Sequence, residues 1–258
     1  MRALGGAVLV TEQAGWRLAE VVDRWLELAG GTLHPCPPPV APAFERPPAV
    51  SGPPLLEVRD LHLARGGRPL LDGARIDVRE GEVVLLSGPN GAGKSSLARA
   101  LAGHAVAASG ALAVSATRLQ RPERTTLLLS EASVQLFGDT VAGEMELGRT
   151  DPRTAVAALR SHRLVHLSGR APWTLSRGER QRLLHAALDA LHPQLMIVDE
   201  PGQGLDPEDL AELAGLIATR AQEGRACLLV SHRAELGGLA HRHLAIANHT
   251  VVDVGGTE

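Results

Sequence analysis

The 258-residue sequence has no tyrosine, two phenylalanines, two cysteines and a single lysine. Two cysteines, Cys36 and Cys227, cannot build a disulfide framework and fit no metal-ligand spacing. A reducing cytosol is the simplest expectation. No apolar run approaches the ~20 residues that span a bilayer. The N-terminus also lacks the basic stretch, apolar run and small-residue cleavage site of a signal peptide. Any membrane role is therefore expected to come through a partner. A net charge of −3 gives no broad cationic field, so nucleic acid is not an expected partner. The scarcity of lysine is the informative absence: Lys and Arg total 26, and every one except Lys94 is arginine. Position 94 therefore requires a compact ammonium rather than a planar guanidinium.

Hydrophobic residues make up 44% of the chain, enough for a packed core. Residues 1–34 read as a strand (Ala7 to Val10) and a helix (about Gly15 to Ala29), with Gly30-Gly31 as its stop. Residues 35–54 hold nine of the 17 prolines and read as a stiff, extended linker. Residues 55–254 alternate strand and helix patterns, which implies an α/β domain with a mainly parallel sheet. A helical part is expected over about 131–190, and 255–258 form a short tail. The buried-strand patterns are Gly81 to Leu86, Thr126 to Leu129, Leu195 to Val198 and Cys227 to Val230. There is also a weak internal repeat. Ala7 to Gln13, a helix pattern and Asp23-Arg24 match Cys227 to Arg233, a helix pattern and His241-Arg242 at an offset of 218 to 220 residues.

Three motifs carry chemistry. Gly88-Pro89-Asn90-Gly91-Ala92-Gly93-Lys94-Ser95 is a P-loop between a strand and a helix. Its glycines turn backbone N–H groups toward a phosphate, and the following helix adds its positive end. Lys94 can reach the β- and γ-phosphates of ATP, and the Ser95 hydroxyl can ligate Mg²⁺. Asn90, Gly91, Gly93 and Ser96 belong to the same phosphate cradle. Leu195 to Val198 ends in Asp199-Glu200. A buried strand ending in paired carboxylates needs a cation or water at its tip, which suits Asp199 to Mg²⁺ and Glu200 to the general-base role. Leu175-Ser176-Arg177-Gly178-Glu179 opens a helix. By itself it is an ordinary capping box, yet the same geometry aims N–H groups at an anion.

The last motif resembles the Leu-Ser-Gly-Gly-Gln signature of the ABC ATPase family. The order of the remaining motifs is similar too. Gly204-Leu205-Asp206 stands where that family has its D-loop, and Ser231-His232 where it has its switch histidine. The resemblance covers about residues 55–254. It implies a P-loop NTPase fold of ABC type, with a mainly parallel core sheet, an antiparallel β part and a helical subdomain. It also implies ATP and Mg²⁺ as cofactors, and a second ABC ATPase domain, identical or not, across whose interface Ser176, Gly178, Glu179 and Asp206 meet ATP. His232 would contact the γ-phosphate. Gln135-Leu136-Phe137 with Thr140-Val141 and Glu144 resembles a segment of the cobalt-type and energy-coupling-factor importer ATPases. There it forms part of the groove for an integral membrane transport subunit. The implied function is ATP-driven import of a metal ion or vitamin at the cytoplasmic face of the membrane. Soluble ABC ATPases of the ribosome or DNA, and ABC exporters, share the main motifs. The former carry basic inserts not present here, and the latter are usually fused to membrane helices.

Besides Arg177 at a glycine position of the signature, a variation the family tolerates, two positions depart from the family pattern. Ser130 stands where a Mg²⁺-ligating glutamine is usual, and Arg65 where an aromatic usually stacks on adenine; a guanidinium plane can stack on a base as well. Under the resemblance the internal repeat makes residues 1–34 the tail of a preceding ABC domain. Glu12 or Gln13 would then occupy its switch-histidine position. No residue encodes the transported substrate.

Overall fold

The structure, a computed structural model, describes residues 8–11, 15–48, 52–104, 112–130, 134–148, 150–202, 205 and 207–255. In chain order the elements are β1 (Leu26–Ala29), β2 (Thr32–Pro35), β3 (Pro54–Arg65), β4 (Arg68–Arg79), β5 (Val83–Ser87), α1 (Lys94–Leu101), β6 (Leu112–Ser115), β7 (Arg118–Gln120) and β8 (Thr125–Leu128). Then come α2 (Val141–Leu147), α3 (Pro152–Ser161), α4 (Arg177–Asp189), β9 (Leu195–Asp199), α5 (Pro207–Gln222), β10 (Ala226–Val230), β11 (Arg242–Ala247) and β12 (Thr250–Asp253).

The central sheet has the order β12-β11-β5-β10-β9-β8. All its pairings are parallel except β11 with β12. β9 and β10 are buried along their whole length, as unbroken apolar runs in a parallel sheet must be. Alternate residues feed different sides. Val84, Leu86, Ile197, Leu228 and Val230 join a core with α1 and the antiparallel sheet. Val83, Leu85, Met196, Val198, Cys227 and Leu229 join a core with α5. The antiparallel sheet has the order β4-β3-β6, with β7 also paired to β3.

A third core belongs to the helical part. Val141, Met145, Leu159 and Leu183 from α2, α3 and α4 pack together with Leu164 and Leu167 from the connection between α3 and α4. A buried polar cluster ties this part to the sheet. The Asp189 carboxylate at the end of α4 accepts from Arg220 Nε at 2.8 Å and from Arg225 Nη1 at 2.8 Å. Burial by itself would raise the Asp189 pKa, but the neighbouring His162 ring, 3.9 Å away, and the charges of Arg220 and Arg225 outweigh it and hold the carboxyl well below its usual range. The rings of His162 and His185 stack at 6.4 Å. Burial keeps both below the ordinary histidine value, His185 well below.

The N-terminal region differs from the strand-and-helix expectation. Val8 to Val10 form no strand and are exposed; Ala7, Glu12 and Gln13 lie outside the described residues. In place of a helix over 15–29 there is a 3-10 turn at Gly15–Leu18 and then a hairpin of β1 and β2. Gly30 and Gly31, at φ 57° and 78°, form its turn and do not stop a helix. Two successive left-handed residues suit a two-residue hairpin turn, a conformation glycine adopts at no steric cost. The helical pattern also lacked a face to bury, and helices gain most of their stability from such packing.

Residues 36–48 carry no regular structure, as the proline content implies. They are not loose. Phe44 packs against the α5-side core, and the Pro48 carbonyl lies 3.0 Å from His241 Nε2.

Candidate functional site

In open α/β sheets ligands bind beyond the carboxyl ends of the strands. Here β10 lies between β5 and β9, so three loops leave one edge side by side: the P-loop after β5, Asp199-Glu200 at the end of β9, and Ser231-His232 after β10. Backbone bonds lock them. Glu200 N donates to the Val230 carbonyl at 2.7 Å, and Ser231 N to the Leu86 carbonyl at 3.0 Å.

The P-loop requires its glycines. Gly88 sits at φ 148°, and a Cβ there would lie 3.1 Å from the Ile246 carbonyl oxygen. Gly93 caps α1 at φ 99° with no side-chain cap, so the first N–H groups of that helix stay with the loop. The Lys94 ammonium is buried and donates to the carbonyls of Gly88 at 2.8 Å and Pro89 at 3.1 Å. An ammonium has three donors, so these two carbonyls do not exhaust it. Asn90, Gly91 and Ser95 are exposed around it, and Ser96 is buried.

Asp199 is only 3% exposed, and its Oδ1 has no hydrogen-bond partner among the described residues. Burial pushes its pKa up. The Ser95 hydrogen bond opposes that rise, and the adjacent Glu200 charge adds to it. A buried carboxylate with an orphan oxygen, a hydroxyl beside it and a second carboxylate next to it is the donor set a Mg²⁺ ion requires. The residues present therefore fit Mg²⁺. Glu200 holds φ 55°, uncommon for a residue with a Cβ. Its carboxylate accepts from Ser231 Oγ at 3.1 Å and lies 3.1 Å from His232 Nδ1. Two bonds from one neighbouring loop thus orient it.

The signature residues form a separate group. Ser176 caps α4: Glu179 N donates to Ser176 Oγ at 3.2 Å, and Ser176 N donates to Glu179 Oε2 at 2.7 Å. That backbone bond holds the Glu179 carboxyl below its usual value. Gly178 lets α4 approach α5, since a Cβ there would lie 2.7 Å from Asp209 Oδ2. Among the described residues no hydrogen bond or ion pair joins this group to the P-loop group. Asp206 lies outside the described residues. Arg65 is exposed at the end of β3, beside the Gly66-Gly67 turn and opposite Arg68. The sequence reading passed over Arg68, a second guanidinium at the same hairpin tip. Ser130 is half-buried just beyond β8.

Several roles emerge only in three dimensions. The Gln135 amide stitches the end of β8, accepting from Leu129 N at 2.7 Å and donating to the Leu127 carbonyl at 3.1 Å. The buried Glu144 carboxylate accepts from Phe137 N at 2.7 Å and Gly138 N at 2.6 Å. That turn leaves Phe137 76% exposed. Arg233, buried after β10, donates to the Gly202 carbonyl at 2.5 Å and fixes the chain just past Glu200. Its place next to His232 was the only signal in the sequence.

Comparison with known proteins accords with this site. Residues 71–203 match the family model described as ABC transporter. A putative ABC transporter ATP-binding protein of Methanosarcina mazei is 32% identical over 215 residues, 78% of this chain and 43% of the relative. The energy-coupling factor transporter ATP-binding protein EcfA of Methanothermobacter thermautotrophicus is 32% identical over 199 residues, 70% of this chain and 64% of the relative. The chain therefore spans less than two thirds of the length of these curated relatives. The solved structure of cbiO1 from Clostridium perfringens, described as part of the ABC transporter complex cbiONQ, shares the fold with a TM-score of 0.66. It is 21% identical, over 79% of this chain and 88% of that one. The chain belongs to the ABC transporter family and carries that family's ATP-binding, ATP-hydrolysing domain.

Proposed function

We propose that this domain hydrolyses Mg·ATP in a site completed by a second ABC domain, and so powers import of a small nutrient through a separate membrane subunit. The observation that carries the reading is the carboxylate of Glu200, held by Ser231 and His232 beside Asp199 and the P-loop. Lys94 and the P-loop N–H groups take the β- and γ-phosphates, with Asn90, Gly91, Gly93 and Ser96 shaping the cradle. Arg65 stacks on adenine. Ser95 and Asp199 would hold Mg²⁺, and Ser130 would assist through water; when bound, the ion would neutralise charge on the phosphate oxygens. Glu200 accepts the proton of the attacking water, and Ser231 keeps its carboxylate aimed. His232 contacts the γ-phosphate and links its loss to movement of the β10 loop. Ser176, Gly178, Glu179 and Asp206 meet the ATP of the partner domain.

Import is supported by the exposed Phe137 turn, an apolar ledge built by Glu144, and by relatives such as the hemin import ATP-binding protein HmuV of Streptomyces coelicolor, 33% identical over 226 residues, 81% of this chain and 80% of the relative. Among the described residues no helix is long and apolar enough to cross a membrane; in this reading the domain works on the cytoplasmic face of the separate membrane subunit. The test is Glu200→Gln, expressed with its chromosomal neighbours. ATP should still bind, turnover should fall by about 10²–10⁴-fold as for loss of a general base, and the paired state should co-purify with an integral membrane protein. Unchanged turnover would remove Glu200 from the base role. Co-purification with ribosomes in place of a membrane protein would remove import.

A further inference from the structure

The β1–β2 hairpin plays no part in the ATP site, yet it repeats a piece of the domain. Shifted by 218 residues, Leu26–Ala29 and Thr32–Pro35 fall on 244–247 and 250–253, the paired residues of β11 and β12. The pairing register is identical throughout: Leu26↔Pro35 corresponds to Leu244↔Asp253, and Ala29↔Thr32 to Ala247↔Thr250. Both turns use two successive left-handed residues, Gly30 and Gly31 in one, Asn248 and His249 in the other. The flanking bonds match as well. Cys36 N donates to the Trp25 carbonyl, and Val254 N to the His243 carbonyl, at the same offset. Arg24, Leu26, Ala29 and Thr32 are repeated as Arg242, Leu244, Ala247 and Thr250. A 3-10 turn precedes each hairpin, at Gly15–Leu18 and Ala234–Leu239. A two-residue turn by itself fixes the register and the flanking bond; what a generic hairpin would not share is the four repeated residues, the preceding 3-10 turn and the single offset of 218 residues.

The two copies differ in what covers them. β11 pairs in parallel with β5, the strand that enters the P-loop, and its Leu244 and Ile246 are 3% exposed. β1 pairs only with β2 among the described residues, and Leu28, the counterpart of Ile246, is 70% exposed. Leu33 on β2 is 57% exposed. An isolated two-stranded hairpin is marginal in water. An uncovered strand edge with apolar residues is a template for another strand.

We infer that residues 24–35 are the terminal hairpin of a second ABC core, non-identical to this one and encoded directly ahead of it, whose P-loop strand pairs with the free edge of β1. Leu26 and Leu28 then enter that core as Leu244 and Ile246 enter this one. The inference rests on the ABC assignment and not on the import reading. It gives this domain a tethered, unlike partner.

Equivalence of the hairpins is tested by replacing residues 242–253 with the sequence of residues 24–35. The chimera should keep one cooperative unfolding transition and bind Mg·ATP within about tenfold of the parent, whereas the same twelve residues in scrambled order should lose the transition. A chimera no better than the scramble overturns the equivalence. Exchange of amide hydrogens in the unaltered chain is the second readout, and neither test depends on turnover. Residues 26–29 should exchange at least about 100-fold faster than 244–247, and slow to match them in a polypeptide extended by the upstream frame. Equal protection in the unaltered chain, or no slowing in the extended one, overturns the free edge. The partner is tested in the coding DNA. Moving Lys94 back by the same 218 residues puts the lysine of an upstream P-loop about 124 residues ahead of Met1. The absence of a P-loop there in every frame overturns the inference.

Discussion

Two helix starts in this domain face anion chemistry, and they are capped in opposite ways. α1 begins at Gly93, in the left-handed region, with no side chain across its N–H groups. α4 begins at Ser176, with Ser176 and Glu179 bonded to each other's backbone. The first leaves its donors to the P-loop and adds a buried ammonium. The second satisfies part of its own end and carries a carboxylate there. A site with a glycine-capped helix and a lysine can hold a polyphosphate alone; a site with a filled capping box contributes only the N–H groups the box leaves over. The asymmetry fits the proposal that one motif forms the nucleotide pocket while the other serves a neighbour's.

Breaking the first end should have the largest effect. Lys94→Ala removes the only ammonium of the loop, and Mg·ATP affinity should fall by about 100-fold or more, the order of two charged hydrogen bonds. The melting transition should survive. Normal ATP binding measured by calorimetry on a folded Lys94→Ala protein would end the P-loop assignment.

The far end of α4 packs around buried histidines, which makes it acid-sensitive. Burial lowers the pKa of His162 and His185 below 6.5, so both are neutral in the fold. The unfolded chain takes up these protons below about pH 6.5, so this stability is fully present above that pH and is lost as pH falls, by at most about 1.4 kcal/mol per pH unit for each group. Urea midpoints should therefore drop between pH 7.5 and 5.5, and His185→Phe should flatten the drop. An unchanged pH slope in that variant would assign the sensitivity elsewhere.

The adenine end sharpens the contrast further. Arg65→Glu should weaken ATP binding by about tenfold through loss of a stacking guanidinium, while Arg65→Tyr should preserve it. Equal affinities of the Glu variant and the parent would show that adenine is held elsewhere, with Arg68 the next residue to change. The smallest effect belongs to the α4 cap. Ser176→Ala should cost about 1 kcal/mol of stability, whereas Glu179→Gln should cost little, because an amide can complete the same box. If the two variants melt alike, the box is not what holds this end.

The α/β class and the order of the central strands' motifs were legible because each motif is local. The strand, the glycines and the lysine of the P-loop lie within a dozen residues, and Asp199-Glu200 ends its own strand. The hairpin at 26–35 was not legible. Its helical spacing looked sound, but nothing in the sequence says whether an apolar stripe will find a face to bury. Gln135 and Glu144 read as part of a partner-binding motif, yet both side chains are spent on backbone N–H and C=O groups six to eight residues away. Such bonds depend on how a turn closes, which residue identity leaves open.

By itself the sequence determined the chemistry on hand: one ammonium among arginines, a glycine loop, two carboxylates at a strand end, a histidine at the next. Those choices are local, set by side-chain chemistry and by the backbone angles glycine permits. Tertiary structure decided what could act together. Placing β10 between β5 and β9 puts Ser231 and His232 against Glu200, 31 and 32 residues away in the chain. It also decided that one hairpin is covered and its copy bare, because burial depends on which strand lies alongside and not on the residues of the hairpin itself.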